Sequence, residues 1–359
     1  MIICYFGIYD PDYSRNRILL GGFKLNGVDV IECRTSVKGP LKYWDLIKKH
    51  WSIRKKYDIM IVGFPGFQAM ILARLLTVKP IVFDAFYSFF DSMVEDRKIV
   101  KAQSLKGRYY WLLDWLSCRL ADKILLDTNA QIDYFVKELK LERKKFYRVL
   151  VGCDDKVIFP ITPKKKDYFL VHFHGSFIPL QGIEYIIEAT KILEGENIKF
   201  NIIGHGQTYR EIIDLASRLK VSNVNFIEPV SIDNLRGYLA EADVCLGIFG
   251  HTDKAKRVIP NKVYEGLAAK RPVLTGDSSA IRELLTDGQD AVFCRLADAQ
   301  DLASKILALK EGRINYEKIA DNGYEIYCRL CRPEILVKQL LDGGLIEELL
   351  GPKNKYDKN

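Results

Sequence analysis

Short apolar runs and helical patterns alternate along most of the chain, and the alternation is sharpest after residue 168. "YFLVHFHG" precedes "IEYIIEATKILEG", "KFNIIGHG" precedes "YREIIDLASRLK", and "VNFIEPV" precedes "SIDNLRGYLAEA". Then come "DVCLGIFG", "RVIPNKVYEGLAAKRPVL", "SAIRELLTDG", "AVFCRL" and "DAQDLASKILALKEG". Strands of five to seven residues that are apolar on both faces, each followed by an amphipathic helix, predict a parallel sheet covered on both sides. Gly175, Gly204, Gly206, Gly250 and Gly276 punctuate the strand ends.

The first half follows the same grammar less cleanly. Its strand candidates are "MIICYFGI", "VDVIEC", "YDIMIVGF", "PIVFDAF", "DKILLDT" and "YRVLVG", with helices over "LKYWDLIKKHWSIRKK" and "YYWLLDWLSCRLA". "FPITPKKKD" is a proline- and charge-rich linker near the middle. The reading is therefore α/β, with two Rossmann-like doubly wound parallel-sheet domains at residues 1–160 and 161–325 facing a central cleft. A helical segment at 326–350 follows, for which a return to the first domain is one course, and "GPKNKYDKN" is expected to fray. Ligands in such sheets sit beyond the carboxyl ends of the strands, so two facing domains suit a two-substrate transfer.

Composition narrows the partners. Residues 1–160 carry 27 Lys and Arg against 18 Asp and Glu, and residues 161–359 carry 27 against 28, so the net charge of +8 belongs to the first half. A basic half favours an anionic partner such as phospholipid headgroups or a polyprenyl phosphate; nucleic-acid binding has no motif to support it. No apolar run reaches the roughly 20 residues of a membrane span, and the N-terminus reads as a first strand. The eight cysteines lie scattered in apolar segments, as reduced cytosolic thiols do. The one D-x-D, Asp10-Pro11-Asp12, has the composition of a turn, and no G-x-G-x-x-G follows a first strand, which argues against a dinucleotide dehydrogenase.

The chemistry concentrates in residues 257–274. Pro260 and Asn261 read as a helix start, whose free N–H groups and positive dipole end suit a phosphate oxygen. Lys262 adds a cation, and Glu265, one turn on, can accept two hydroxyl hydrogen bonds from a ribose. The plainer alternative is a solvated helix in which Glu265 pairs with Lys262 or Arg271.

Residues 168–310 resemble the nucleotide-binding domain of the GT-B-fold, family 4 retaining glycosyltransferases. The matching landmarks are "HGSFIPLQGIEYIIEA", "FNIIGHGQTYREI", "FIEPVSIDNLRGYLAEADVCLGIF", "PNKVYEGLAAKRPVL" and "SAIRELLTDGQDAVF", in the family's order. The first half is similar to the acceptor domain more weakly, through "YDPDYSRNRILLGGFKLNGVDV", "LADKILLDTNAQIDYF" and "VLVGCDDKVIFP". The resemblance implies that Glu265 is the ribose-binding second glutamate of an E-x7-E motif, with Arg257 in place of the first. It also implies that Ser176 and Gln181 stand where relatives often carry an arginine and a lysine; Lys262 and Arg257 would then restore the charge. Gly175, Gly204, His205, Gly206 and His251 complete the implied donor set.

On the acceptor side the candidates are Tyr9, Asp10, Arg15 and Asn16 after the first strand, with Asp127 and Asn129 further on. The alternative for Asp10 is a plain turn. Phe86 occupies the place of the family's usual histidine, and Asp84 is the nearest carboxylate, either an acceptor base or a turn cap. The helix bearing Tyr43, Trp44, Ile47 and Trp51 either packs its aromatic face on the first sheet, the commoner arrangement, or lies on an anionic membrane.

The expectation is a metal-independent glycosyltransferase, needing no cofactor beyond its nucleoside-diphosphate-sugar substrate. It would act on a glycan or lipid-linked acceptor in the cytoplasm, peripheral to the inner membrane face. Its rivals are a GT-B nucleotide-sugar 2-epimerase and a non-catalytic GT-B partner subunit.

Overall fold

The computed structural model describes residues 1–351, so the tail expected to fray lies outside the described residues apart from Gly351. The chain forms two compact units. The first comprises Met1–Val94, Ile99–Val151 and the segment from Pro333 onward; the second comprises Glu95–Lys98 and Gly152–Arg332. The linker tract at 159–167 thus falls inside the second unit.

In the first unit six strands pair in parallel: β1 (Ile2–Gly7), β2 (Asp29–Arg34), β3 (Ile59–Val62), β4 (Ile81–Phe86), β5 (Lys123–Leu126) and β6 (Phe146–Arg148). Their order is β2-β1-β3-β4-β5-β6. The helices are α1 (Ser14–Leu25), α2 (Leu41–Ile53), α3 (Phe67–Leu76), α4 (Leu105–Leu120) and α5 (Asn129–Leu139). Alternation along β1 sends Cys4 and Phe6 to one core, shared with Leu46, Met70, Leu113 and Phe135 of α2–α5. Ile3 and Tyr5 go to the opposite core, with Leu19 and Phe23 of α1.

The second sheet is β7 (Phe169–His174), β8 (Ile198–Ile203), β9 (Val224–Ile227), β10 (Val244–Leu246), β11 (Val273–Gly276) and β12 (Val292–Cys294). Their order is β12-β11-β10-β7-β8-β9, again parallel throughout. The intervening helices are α6 (Ile183–Ile192), α7 (Tyr209–Leu219), α8 (Ile232–Glu241), α9 (Asn261–Ala268), α10 (Ala299–Lys310) and α11 (Tyr316–Leu330). "SAIRELLTDG" departs from the alternation and folds as one 3-10 turn, Ile281–Glu283. Its buried Ile281 and Leu285, and the bond from the Ala280 N–H to the Lys256 carbonyl, tie it down before a second turn can form.

The final helical stretch breaks at Arg332. α12 (Pro333–Asp342) and α13 (Leu345–Leu350) belong to the first unit, where α12 lies against α1. Gly22 permits that approach: a Cβ there would stand 2.3 Å from the Pro333 carbonyl oxygen and 2.4 Å from a Val337 methyl. The two sheets share a grammar but not an order. The second switches direction between β7 and β10, and the first between β1 and β3. Ligand crevices open beyond the carboxyl ends of the strands at such switch points.

Candidate donor site

Two elements meet at the second unit's switch point: the end of β7 and the helix that follows β10. Val171 and Phe173 of β7 face the apolar core of α6 and α10. The period of two then sends His172 and His174 to the other face, beside α9. The His174 Nε2 lies 2.7 Å from Glu265 Oε2, and its Nδ1 lies 3.0 Å from His172 Nε2. A carboxylate only accepts, so His174 donates from Nε2 and receives the His172 N–H at Nδ1. His172 is left with an unpartnered Nδ1. Burial pushes the His172 imidazolium well below the usual range, which keeps that ring neutral. Glu265 is 8% exposed and is held through one oxygen only, leaving Oε1 for another donor.

Lys262 enters the same site from the first turn of α9. It is 4% exposed, its Nζ donates to Gln181 Oε1, and it lies 4.2 Å from the Phe173 ring centroid. A Cβ on Gly175 would meet Nζ at 2.9 Å, so a glycine there makes room for the ammonium. Burial lowers the lysine from its ordinary 10.5 to about 7, with Glu265 pulling the other way. A buried amine held by a neutral amide is a poor place for a proton until an anion arrives.

Pro260 is the N-cap of α9 and Asn261 its first helical residue, and no side chain caps the helix. Asn261, a residue type that often caps, thus lies inside the helix. Pro260 in extended geometry occupies the cap position, and the first-turn N–H groups are left without a side-chain acceptor. Gly204 and Gly206 lie beside the same β7 loop, at φ +141° and +158°. A Cβ at Gly204 would sit 2.0 Å from the Gly175 carbonyl oxygen, and one at Gly206 2.6 Å from that of Phe177. A cavity of about 250 Å³ is lined here by His174, Gly175, Ser176, Gly204, His205 and Leu235, among others. His205 is exposed and stacks on Tyr209 at 4.4 Å.

Two further donor-side candidates have partners of their own. His251 is exposed, 3.3 Å from the Tyr185 hydroxyl. Arg257 follows a 3-10 turn and comes within 3.9 Å of Glu95, so it faces a carboxylate of its own.

The acceptor-side candidates are corrected more strongly. Asp84 and Arg15 are each 0% exposed and bound to one another, at 2.9–3.1 Å through two guanidinium nitrogens. The remaining Arg15 nitrogen donates to the Val149 and Leu150 carbonyls. Burial pushes the Asp84 carboxyl up and Arg15 pulls it back down. With both oxygens occupied in the core, Asp84 is a structural counter-ion and not a base. Asn16 is fully buried, accepting from the Tyr5 hydroxyl and donating to the Asp10 and Phe64 carbonyls. Tyr9 is buried and donates to Glu32 at 2.9 Å. Asp10 accepts the Asp12 N–H, which is the plain turn. Asp127 is buried, and Asn129 begins α5 and accepts from Arg143. Phe86 holds φ +60° at an irregularity in the β4 pairing, an uncommon conformation for a bulky residue.

A family model described as "Glycosyl transferases group 1" matches residues 169–311. Those residues belong to the glycosyl transferases group 1 family. Within this group 1 domain lie β7, α9 and every residue of the His–Glu–Lys cluster. An uncharacterized glycosyltransferase of Methanocaldococcus jannaschii, MJ1178, is 21% identical over 236 residues, 63% of this chain and 60% of that protein. The chain therefore spans three fifths of the length of this curated relative. Among solved structures, a sucrose-phosphate synthase of Thermosynechococcus elongatus superposes with a TM-score of 0.77 at 13% identity, covering 97% of this chain and 98% of that one. Anabaena HepE in complex with UDP-glucose superposes at 0.70 with 14% identity, over 96% and 99%. The fold is GT-B, with two Rossmann-like parallel-sheet domains.

Outside the group 1 domain the expected acceptor residues Arg15 and Asp84 pair with each other in the core, and Asn16 binds the Asp10 carbonyl. The residue that reading the sequence passed over is His174 as the partner of Glu265. The signal available was its spacing of two from His172 on one strand face. Among the described residues no His, Cys, Asp and Glu side chains group as a metal site, and no helix is long and apolar enough to cross a membrane.

Proposed function

We propose that this protein is a retaining, metal-independent glycosyltransferase that moves a sugar from a nucleoside-diphosphate-sugar to a hydroxyl of a glycan or lipid-linked acceptor. One observation carries the reading. A buried lysine amine without a carboxylate of its own and a buried carboxylate with one free oxygen stand one turn apart on α9, beside a glycine loop at a strand-order switch. A diphosphate against the uncapped first turn of α9 and Lys262 would place a ribose diol at Glu265 Oε1. HepE, crystallised with UDP-glucose, has the same fold.

In this reading the leaving diphosphate is the group that needs stabilising. Lys262 supplies charge as the anion restores its proton, and the α9 amides supply dipoles already in place. Gln181 holds the lysine against the glycine loop, so the cation that relatives place in the loop comes here from the helix. The basic first unit would take the acceptor, in peripheral contact with the cytoplasmic face of a membrane.

Thermal-shift screening against UDP-, GDP-, ADP- and CDP-sugars tests the donor assignment. One of them should raise the melting temperature of the parent and not of Glu265→Ala. Transfer assays with EDTA should show undiminished turnover. A donor that binds and is hydrolysed or epimerised without any acceptor would move the assignment to a GT-B epimerase. Binding without turnover across an acceptor panel would mark a non-catalytic subunit.

A further inference from the structure

The donor site uses none of the chain's tryptophans. All four, Trp44, Trp51, Trp111 and Trp115, lie on α2 and α4 of the first unit. The packing face of α2 is Leu46 and His50. Trp44 and Trp51 are 71% and 64% exposed, so the aromatic face points away from the sheet, against the commoner arrangement. Leu41, Trp44 and Trp51 fall at i, i+3 and i+10 of α2, one stripe of the helix. On α4 the exposed Leu105, Tyr109 and Leu112 fall at i, i+4 and i+7, a second stripe.

α3 lies against both helices. The Tyr43 hydroxyl donates to Gln68 Oε1 and the Gln68 amide donates to the Tyr109 hydroxyl, each at 3.0 Å, tying α2, α3 and α4 into one surface. The chain from α3 into β4 adds Leu75 and Val78, 81% and 98% exposed. Around the stripes the charge has one sign. Residues 38–56 hold seven Lys and Arg against one acid, and residues 101–120 hold four against Asp114, which is buried and bonded to Ser88.

We propose that the α2–α3–α4 face docks in plane on an anionic phospholipid bilayer, with the two apolar stripes entering the headgroup boundary and the flanking cations on the lipid phosphates. Apolar stripes on helices joined through α3, exposed tryptophans and a rim of cations are what such a boundary selects. A nucleic acid would engage the cations and leave the leucine stripes in water. The proposal rests on the membrane-contact part of the reading above and names its surface and lipid class; it does not depend on the donor site.

The test is sedimentation of the full chain with vesicles of phosphatidylcholine alone or with about a third phosphatidylglycerol, at about 0.1 M salt, with tryptophan emission recorded in parallel. The anionic vesicles should bind the chain and shift its emission to the blue, and the neutral ones should do neither. Trp44→Ala/Trp51→Ala should lower partitioning at least about tenfold with the melting temperature unchanged, because both rings are exposed. Lys48→Glu/Lys55→Glu/Lys56→Glu should lower it as well. The proposal is overturned if the parent ignores anionic vesicles, or if the charge variant alone loses binding, which would mean adsorption without insertion. It is also overturned if the chain is a dimer that the tryptophan variant splits and that no vesicle captures. Nucleotide-sugar thermal shifts should be the same in the parent and the tryptophan variant. Their absence from both would sink the donor reading and leave the lipid result standing.

Discussion

Replacing Lys262 by methionine should stabilise the ligand-free protein and abolish its affinity for nucleoside diphosphates. The drop from 10.5 to about 7 corresponds to about 5 kcal/mol against the ammonium, at about 1.36 kcal/mol per pH unit. Local relaxation and water entry cut this to about 2–3 kcal/mol, and losing the Gln181 bond takes back about 1 kcal/mol. The folded-state value lies below the unfolded one, so the charged lysine's burden is fully present below pH 7. It is lifted as pH rises from 7 toward 10.5. Lys262→Met should therefore raise the melting temperature most near pH 6 and lose that advantage near pH 10.

Binding has a matching signature. If a diphosphate restores the ammonium, the complex takes up a proton at about pH 8, and affinity falls by up to about tenfold per pH unit above 7. Calorimetry of UDP binding in two buffers of different ionisation enthalpy measures that uptake. Equal observed enthalpies in both buffers, or full UDP affinity in the methionine variant, would refute the role given to this lysine.

His174→Ala should weaken UDP binding by about 1–3 kcal/mol through loss of the bond that holds Glu265, while UMP analogues lacking the ribose hydroxyls should lose little; isothermal titration of both decides it. Asp84→Asn should cost about 3–5 kcal/mol in urea unfolding, because it uncouples a fully buried ion pair. The turnover of the molecules that remain folded should be unchanged. Gly204→Ala should cost more than about 2 kcal/mol by the same measurement, since its Cβ would stand 2.0 Å from the Gly175 carbonyl oxygen at φ +141°.

Periodicity made the strands and most helices legible, because a buried parallel sheet writes its pattern into every strand. It also put Glu265 and Lys262 near one helix start. What it could not show was which distant group each would meet. His174 lies 91 residues from Glu265 and Gln181 lies 81 from Lys262, and only the parallel pairing of β10 with β7 brings them together. Asp84 and Arg15 looked like crevice chemistry because one lies toward the carboxyl end of a strand and the other just past one. Their 69-residue separation hid a mutual neutralisation that lets both enter the core. In α2 the apolar residues circle the helix, and periodicity alone does not say which side faces water.

The seating of α12 on α1 has a practical consequence for dissecting this chain. The first unit is assembled from both chain ends, and its core includes Val337, Leu340 and Leu345. A clone stopped at residue 151 would uncover the groove that Gly22 keeps open, and should yield insoluble material. Fusing 333–351 ahead of Met1 through a flexible spacer, as a circular permutant, is the route to that half in isolation.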